Sequence, residues 1–204
     1  VEKPDQEAVP SRQFDISKID FDLLSREFAH TRRKNLLLRD LDELVNQQLS
    51  KMLFANPQRI DYYDRYQEII DAYNAEQNRA TIEKTFMDLM ELASSLDTEQ
   101  QRYMREGFSS DEELSVYDLL FSENLTKQEI ETIKKVSVDL LTKIKQQIAK
   151  LDHWTDKQET KAIVDNLIRN TLWQELPNSY DVSDIQTYQK KIYEYVYMRY
   201  PEVA

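Results

Sequence analysis

Glycine and cysteine are almost missing from this chain: 204 residues include one glycine and no cysteine. Phosphate-cradling loops and dinucleotide fingerprints need several glycines, because only glycine lets the backbone approach a phosphate in left-handed or strained conformations. A single glycine excludes both. Without cysteine there is no disulfide framework, no thiolate metal site and no cysteine nucleophile. No apolar run approaches the roughly 20 residues that a membrane-spanning helix needs, and no signal-peptide pattern opens the chain. The sequence reads as a cytoplasmic piece.

Histidine is scarce too, with only His30 and His153. Glu27-Phe28-Ala29-His30 matches the Glu-x-x-His pattern of di-iron bundles, but those need the pattern twice plus two further glutamates. An ordinary helical histidine is expected there, and no metal ligand is assigned. Glu159-Thr160-Lys161 has a carboxylate-x-Lys spacing used by some nucleases on a β-strand beside another acid, whereas here it lies inside a helical pattern. No nucleophile elbow exists. No catalytic or cofactor-binding residue is assigned to the chain.

What is present points to helices. The hydrophobic fraction of 40%, with 12 Tyr, 7 Phe and 2 Trp, is enough for a buried core, and charged residues make up 32%. Ala, Leu, Glu, Lys, Gln, Asp and Arg dominate almost throughout, so the fold class is all-α, a compact bundle of about eight or nine helices.

The polar, Pro-containing start "VEKPDQEAVPSRQFD" resembles an interdomain linker, and residues 1–13 are read as a lead-in to a helical domain over 14–204, with a subdivision near Ser95. A first helix starts at about Asp20 with Phe21, Leu24 and Phe28 on one face. A second carries Leu37, Leu41, Leu44, Val45, Met52 and Leu53 and stops at Asn56-Pro57. Tyr63, Tyr66, Ile70 and Tyr73 form the stripe of a third, and a fourth starts near Thr81 and packs through Phe86, Leu89, Met90 and Ala93. A separate helix is expected from Asp97 to Glu106.

Gly107 follows that helix where a C′ residue takes a positive φ, and Ser110 to Glu113 reads as a capping box that starts the next helix at once. The glycine thus reverses a helix pair. Thr126 to Glu129 caps the longest pattern, with Ile130, Ile133, Val136, Leu140, Ile144, Ile148 and Leu151 close to heptad spacing. Further boxes are expected at Thr155 to Gln158 and at Ser183 to Gln186, the latter opening a last helix rich in Tyr188, Tyr193, Tyr195, Tyr197 and Tyr200 and ended by Pro201.

Charge is uneven. The net charge is −11; residues 97–131 hold ten acidic and three basic side chains, while residues 132–161 hold seven basic and four acidic. Lys134, Lys135, Lys143, Lys145 and Lys150 could meet phosphates, as could Arg32, Arg33 and Lys34. So acidic a domain is repelled by DNA over a Debye length of roughly 10 Å, so solvated faces and intramolecular pairing are the simpler expectation. DNA is expected to touch the domain weakly at most.

Long ordered stretches carry a family likeness: "NPQRIDYYDRYQEIIDAYN", "LDTEQQRYMREGFSSDEELSVYDLL", "LTKQEIETIKKVSVDLLTKIK", "LDHWTDKQETKAIVDNLIRNTLWQELPNSYD" and "YQKKIYEYVYMRYPE". From about Phe14 to its end, the chain resembles the C-terminal helical domain of the restriction (R) subunit of type I restriction-modification enzymes. The resemblance implies a parent with an N-terminal PD-(D/E)-x-K nuclease and two RecA-like motors that use ATP and Mg, none of whose catalytic residues falls on this chain. It implies partners as well: the methyltransferase M subunit and M/S core, and the upstream motor domains. The expected role is assembly without catalysis, with DNA guidance past the motor as the alternative. Tyr193, Tyr197, Arg199 and Tyr200 are the expected partner contacts, since Tyr and Arg concentrate binding energy at interfaces. A core role for these tyrosines is the competing expectation.

Overall fold

The computed structural model describes residues 19–76 and 78–201. The lead-in 1–13 lies outside them. The described residues form nine α-helices and no strand: α1 Phe21–His30, α2 Lys34–Ala55, α3 Ile60–Ala75, α4 Arg79–Gln100, α5 Arg102–Arg105, α6 Asp111–Leu120, α7 Lys127–Ile148, α8 Gln158–Glu175 and α9 Val182–Arg199. A 3₁₀ turn, Pro57–Arg59, joins α2 to α3. The all-α reading of the sequence holds.

Tertiary contacts divide the chain into two units, each discontinuous. One takes the described residues of Val1–Gln48 together with Arg65–Asp97; the other takes Leu49–Asp64 and the described residues of Thr98–Ala204.

In the first unit, α1 begins where the Asp20 carboxylate accepts from the Leu23 N–H. Its Phe28 stacks on Phe86 of α4, with ring centroids 3.6 Å apart and planes 6° from parallel. Leu38, Leu41, Val45, Leu89, Leu92 and Leu96 complete a closed apolar interior. Tyr66 is buried and donates its hydroxyl to Asp42 at 2.7 Å, while Tyr63, Ile70 and Tyr73 of its stripe are half-buried and Ile69 is buried beside it. Lys34 donates to Glu83 at 2.5 Å and lies 5.0 Å from the centroid of the Phe28 ring.

The helix expected to start at Asp97 does not. Instead α4 runs unbroken to Gln100, because Leu96 and Glu99 continue its buried stripe and no Gly or Pro interrupts it. The single turn α5 follows. Gly107 then takes φ 84°, with its N–H donating to Met104 O and the Phe108 N–H donating to Tyr103 O, a Schellman closure. Phe108 is buried against Tyr117. The Ser110 hydroxyl caps α6 by accepting from the Glu113 N–H, but Glu113 accepts from the Ser109 N–H, so the reciprocal half of the expected box is displaced by one residue.

The second unit has one apolar core built from α6, α7, α8 and α9, including Leu114, Leu120, Ile133, Leu140, Ile144, Val164, Ile168 and Ile192. The α7 heptad-like face is its centre. The Thr126 to Glu129 capping box is complete. The other two expected boxes are corrected. Thr155 does not cap α8, whose cap residue is Lys157 with no side-chain bond. Burial of Trp154 places Thr155 inside the preceding turn, where His153 has φ 46°, and the Thr160 hydroxyl donates to Trp154 O instead. The last helix is capped by Asp181, reciprocally with Asp184, two residues before the expected Ser183.

Candidate partner-docking surface

The last helix has two working flanks. Ile192, Tyr195 and Val196 are buried and seat α9 in the core of the second unit. At about 100° per residue, Tyr193, Tyr197 and Tyr200 fall on one side of that seam and Lys191 and Met198 on the other, while Arg199, one turn beyond Tyr195 and Val196, falls within it and is half-buried.

The tyrosine flank wraps Trp154. That indole is 1% exposed and donates Nε1–H to Tyr200 O at 2.6 Å, which ties the C-terminus of α9 to the turn after α7. Tyr193 and Tyr197 meet the indole edge-on at centroid distances of 6.1 and 5.7 Å. Lys161 of α8 stands 5.7 Å from the Tyr197 ring centroid. The Tyr200 ring lies under Lys145 at 5.2 Å, and its hydroxyl is buried near Glu112 and the Tyr195 hydroxyl without a hydrogen bond of acceptable geometry. Burial raises the pKa of both hydroxyls. Of the three tyrosines named from the sequence on this flank, only Tyr197 counts as exposed, at 37%.

The other flank faces outward at Lys191 and Met198, with half-buried Arg199 between it and the seam. Arg199 lays its guanidinium 4.6 Å from the centroid of the Phe54 ring at the end of α2. Phe54 is 57% exposed and Met198 70%, the highest value among the large hydrophobic side chains of the described residues. Sequence reasoning named Arg199 and missed Phe54 and Met198. The signal was present: both interrupt polar positions of otherwise regular amphipathic patterns.

Of the five lysines considered for DNA, Lys150 is exposed and the other four divide differently. Lys134 donates to Glu106 O and to its carboxylate at 2.9 and 3.0 Å, closing the end of the α5 turn, and sits over the Phe108 and Tyr117 rings. Lys143 is held by Asp139 and Glu175 at 2.5 and 2.6 Å. Lys145 pairs with Glu112. Burial opposes ionisation of Glu112, but the Lys145 ammonium, together with the nearby Tyr200 hydroxyl and the Arg199 charge, outweighs it and holds the pKa below the ordinary carboxylate value. Lys135 is exposed and forms no ion pair among the described residues. The basic stretch of the sequence thus answers the acidic one: α7 supplies the cations for Glu106 and Glu112.

His30 and Glu27 lie on the exposed surface of α1, and no group of three or more His, Asp or Glu residues gathers as a metal site among the described residues. Glu159 is exposed in the first turn of α8, while its neighbours Thr160 and Lys161 serve the Trp154 turn and the Tyr197 ring. No described helix is long and apolar enough to cross a membrane.

A family model described as type I restriction enzyme HindI endonuclease subunit-like, C-terminal, matches residues 7–200. The chain belongs to this family. No curated protein and no solved structure matches it. The match takes in residues of both units.

Proposed function

We propose that this domain is a non-catalytic assembly module, which docks the motor and nuclease of a type I restriction enzyme onto the methyltransferase M/S core. One observation carries the reading. The C-terminal end of α9 is fixed by the buried Trp154 and its bond to Tyr200 O, yet presents Tyr197 and Met198 at the surface beside half-buried Arg199. A rigid support beneath exposed large side chains lowers the ordering cost of association. In such an assembly the motor stands beside the site-recognition subunits, and capture of neighbouring DNA becomes effectively intramolecular.

ATP and Mg belong, on this reading, to the upstream part of the parent chain, and the compartment is the cytoplasm. The alternative, a DNA-guiding module, draws on Lys135 and on Arg32 and Arg33, which are exposed. It is the weaker reading because Lys134, Lys143 and Lys145 spend their charge on acids of the same unit.

The test is the light-scattering mass of the chain mixed with its purified methyltransferase core at two salt concentrations without DNA. A stable complex supports docking. Absence of a complex, together with salt-sensitive DNA binding that is lost when Lys134, Lys135 and Lys145 are changed to Glu, would replace it by the DNA-guiding role.

A further inference from the structure

We infer that the docking contact is the Phe54–Arg199–Met198 patch with its flanking Lys51 and Lys191, and that it receives an acidic, apolar segment of the methyltransferase core. The inference rests on the docking role proposed above and assigns its contact face. Phe54 and Met198 are among the most exposed large hydrophobics of the second unit, and half-buried Arg199 is stacked on Phe54 and follows Met198 in sequence. An exposed aromatic ring capped by an Arg, with an exposed Met next to that Arg in sequence, has the composition of an interface centre and not of an ordinary surface.

Charge names the occupant. Lys51 lies one turn before Phe54 on α2, and Lys191 lies two turns before Met198 on α9. Among the described residues none of Lys51, Lys191 and Arg199 forms an ion pair; Lys191 rests over the Tyr188 ring and Arg199 over Phe54. Glu194 of α9 is matched by Lys190, and Glu112, whose carboxylate feels the Arg199 charge, is paired with Lys145. A chain of net charge −11 therefore carries here a locally basic rim around two exposed apolar side chains. Carboxylates set around a large apolar side chain complement it. Nucleic acid fits less well, because phosphates gain nothing from Phe54 and Met198.

The patch is also held still. The α2 end that carries Phe54 is stitched to α6, where the Ser115 hydroxyl donates to Ala55 O at 2.9 Å and the Asn56 amide donates to Asp118 at 2.6 Å. On the other side Arg199 follows the buried Tyr195 and Val196. Both halves of the patch thus stand on ordered elements of one unit.

The experiment is calorimetric titration of the purified methyltransferase core with the unaltered chain, with Phe54→Ala/Met198→Ala, with Lys51→Glu/Arg199→Glu, and with Trp173→Ala as an exposed control on α8. Phe54, Met198, Lys51 and Trp173 are exposed and Arg199 is half-buried, and circular dichroism melts verify folding. The expected result is roughly tenfold or greater weakening by each double variant and an unchanged control. Binding by the unaltered chain that neither double variant weakens overturns the patch and leaves the docking role standing. No binding by the unaltered chain overturns both. A short DNA duplex bound by the chain and released by Lys51→Glu/Arg199→Glu, with core binding unaffected, overturns the patch in favour of nucleic acid.

Discussion

Arg59 and Asp111 face each other as a bidentate pair, with Nη1 donating to Oδ2 at 2.9 Å and Nη2 to Oδ1 at 2.6 Å. The guanidinium is buried and its Nε also donates to Glu99 at 3.1 Å. Glu99 in turn pairs with Arg102, which pairs with Asp118. Asp111, Ser115 and Asp118 stand at i, i+4 and i+7 on one face of α6, and each takes a different group of residues 55–59 or its neighbour Arg102. The polar stripe of α6 thereby fixes the turn between α2 and α3.

Breaking that pair leaves a buried cation with only Glu99. Asp111→Ala should lower unfolding free energy by about 3 kcal/mol, the lower end for a broken buried ion pair because one carboxylate remains. Replacing both partners, as Arg59→Met with Asp111→Leu, should restore part of the loss. Urea denaturation measures both, and an Asp111→Ala chain as stable as the original would show that the pair contributes nothing.

Gly107 answers a narrower question. A Cβ there meets no atom within 4 Å, so the whole cost of Gly107→Ala is the positive φ. The expected destabilisation is about 1 kcal/mol, and Gly107→Asn should cost less because Asn tolerates the left-handed region. A larger loss, read from the same urea curves, would mean that the turn has a second constraint.

These two sites also mark what a sequence can tell. Gly107 and the Thr126–Glu129 box were legible because their signals are complete within five residues. The cap of α9 was misplaced because Asp181 and Ser183 offer the same chemistry, and only the packing of Ile185 and Tyr180 settles which one starts the helix. Thr155 was misread because the burial of Trp154 overrides a local capping pattern. The Arg59 cluster was invisible, since its partners lie 40 and 52 residues away. Of the candidate surface, Arg199 was legible as an interface-prone residue type, but its stacking on Phe54 joins residues too distant for periodicity to connect.

The two tryptophans provide a probe of the α9 support. Trp154 is 1% exposed and Trp173 49%. Trp173→Phe should leave blue-shifted emission that resists acrylamide, and Trp154→Phe should leave red-shifted, readily quenched emission. Trp154→Phe should also cost about 2–3 kcal/mol, from the lost bond to Tyr200 O and the space left behind. Equal quenching of the two single-tryptophan chains would remove the fixed support on which the docking role rests.

High pH should unfold the domain through its tyrosines. Burial raises the hydroxyl pKa of Tyr62, Tyr117, Tyr180, Tyr188, Tyr193, Tyr195 and Tyr200 above the ordinary value of 10.0. With the folded value above the unfolded one, the native state holds these protons more tightly. The associated stability is complete below about pH 10 and falls as pH rises beyond it. Tyr180, whose hydroxyl donates to Leu120 O at 2.6 Å, and Tyr200 contribute most. Tyrosinate absorbance should therefore rise together with loss of helical circular dichroism above that pH, and Tyr180→Phe should make the alkaline limb shallower. Smooth ionisation of all the tyrosines with the helices intact would show that the hydroxyls reach solvent in the native state.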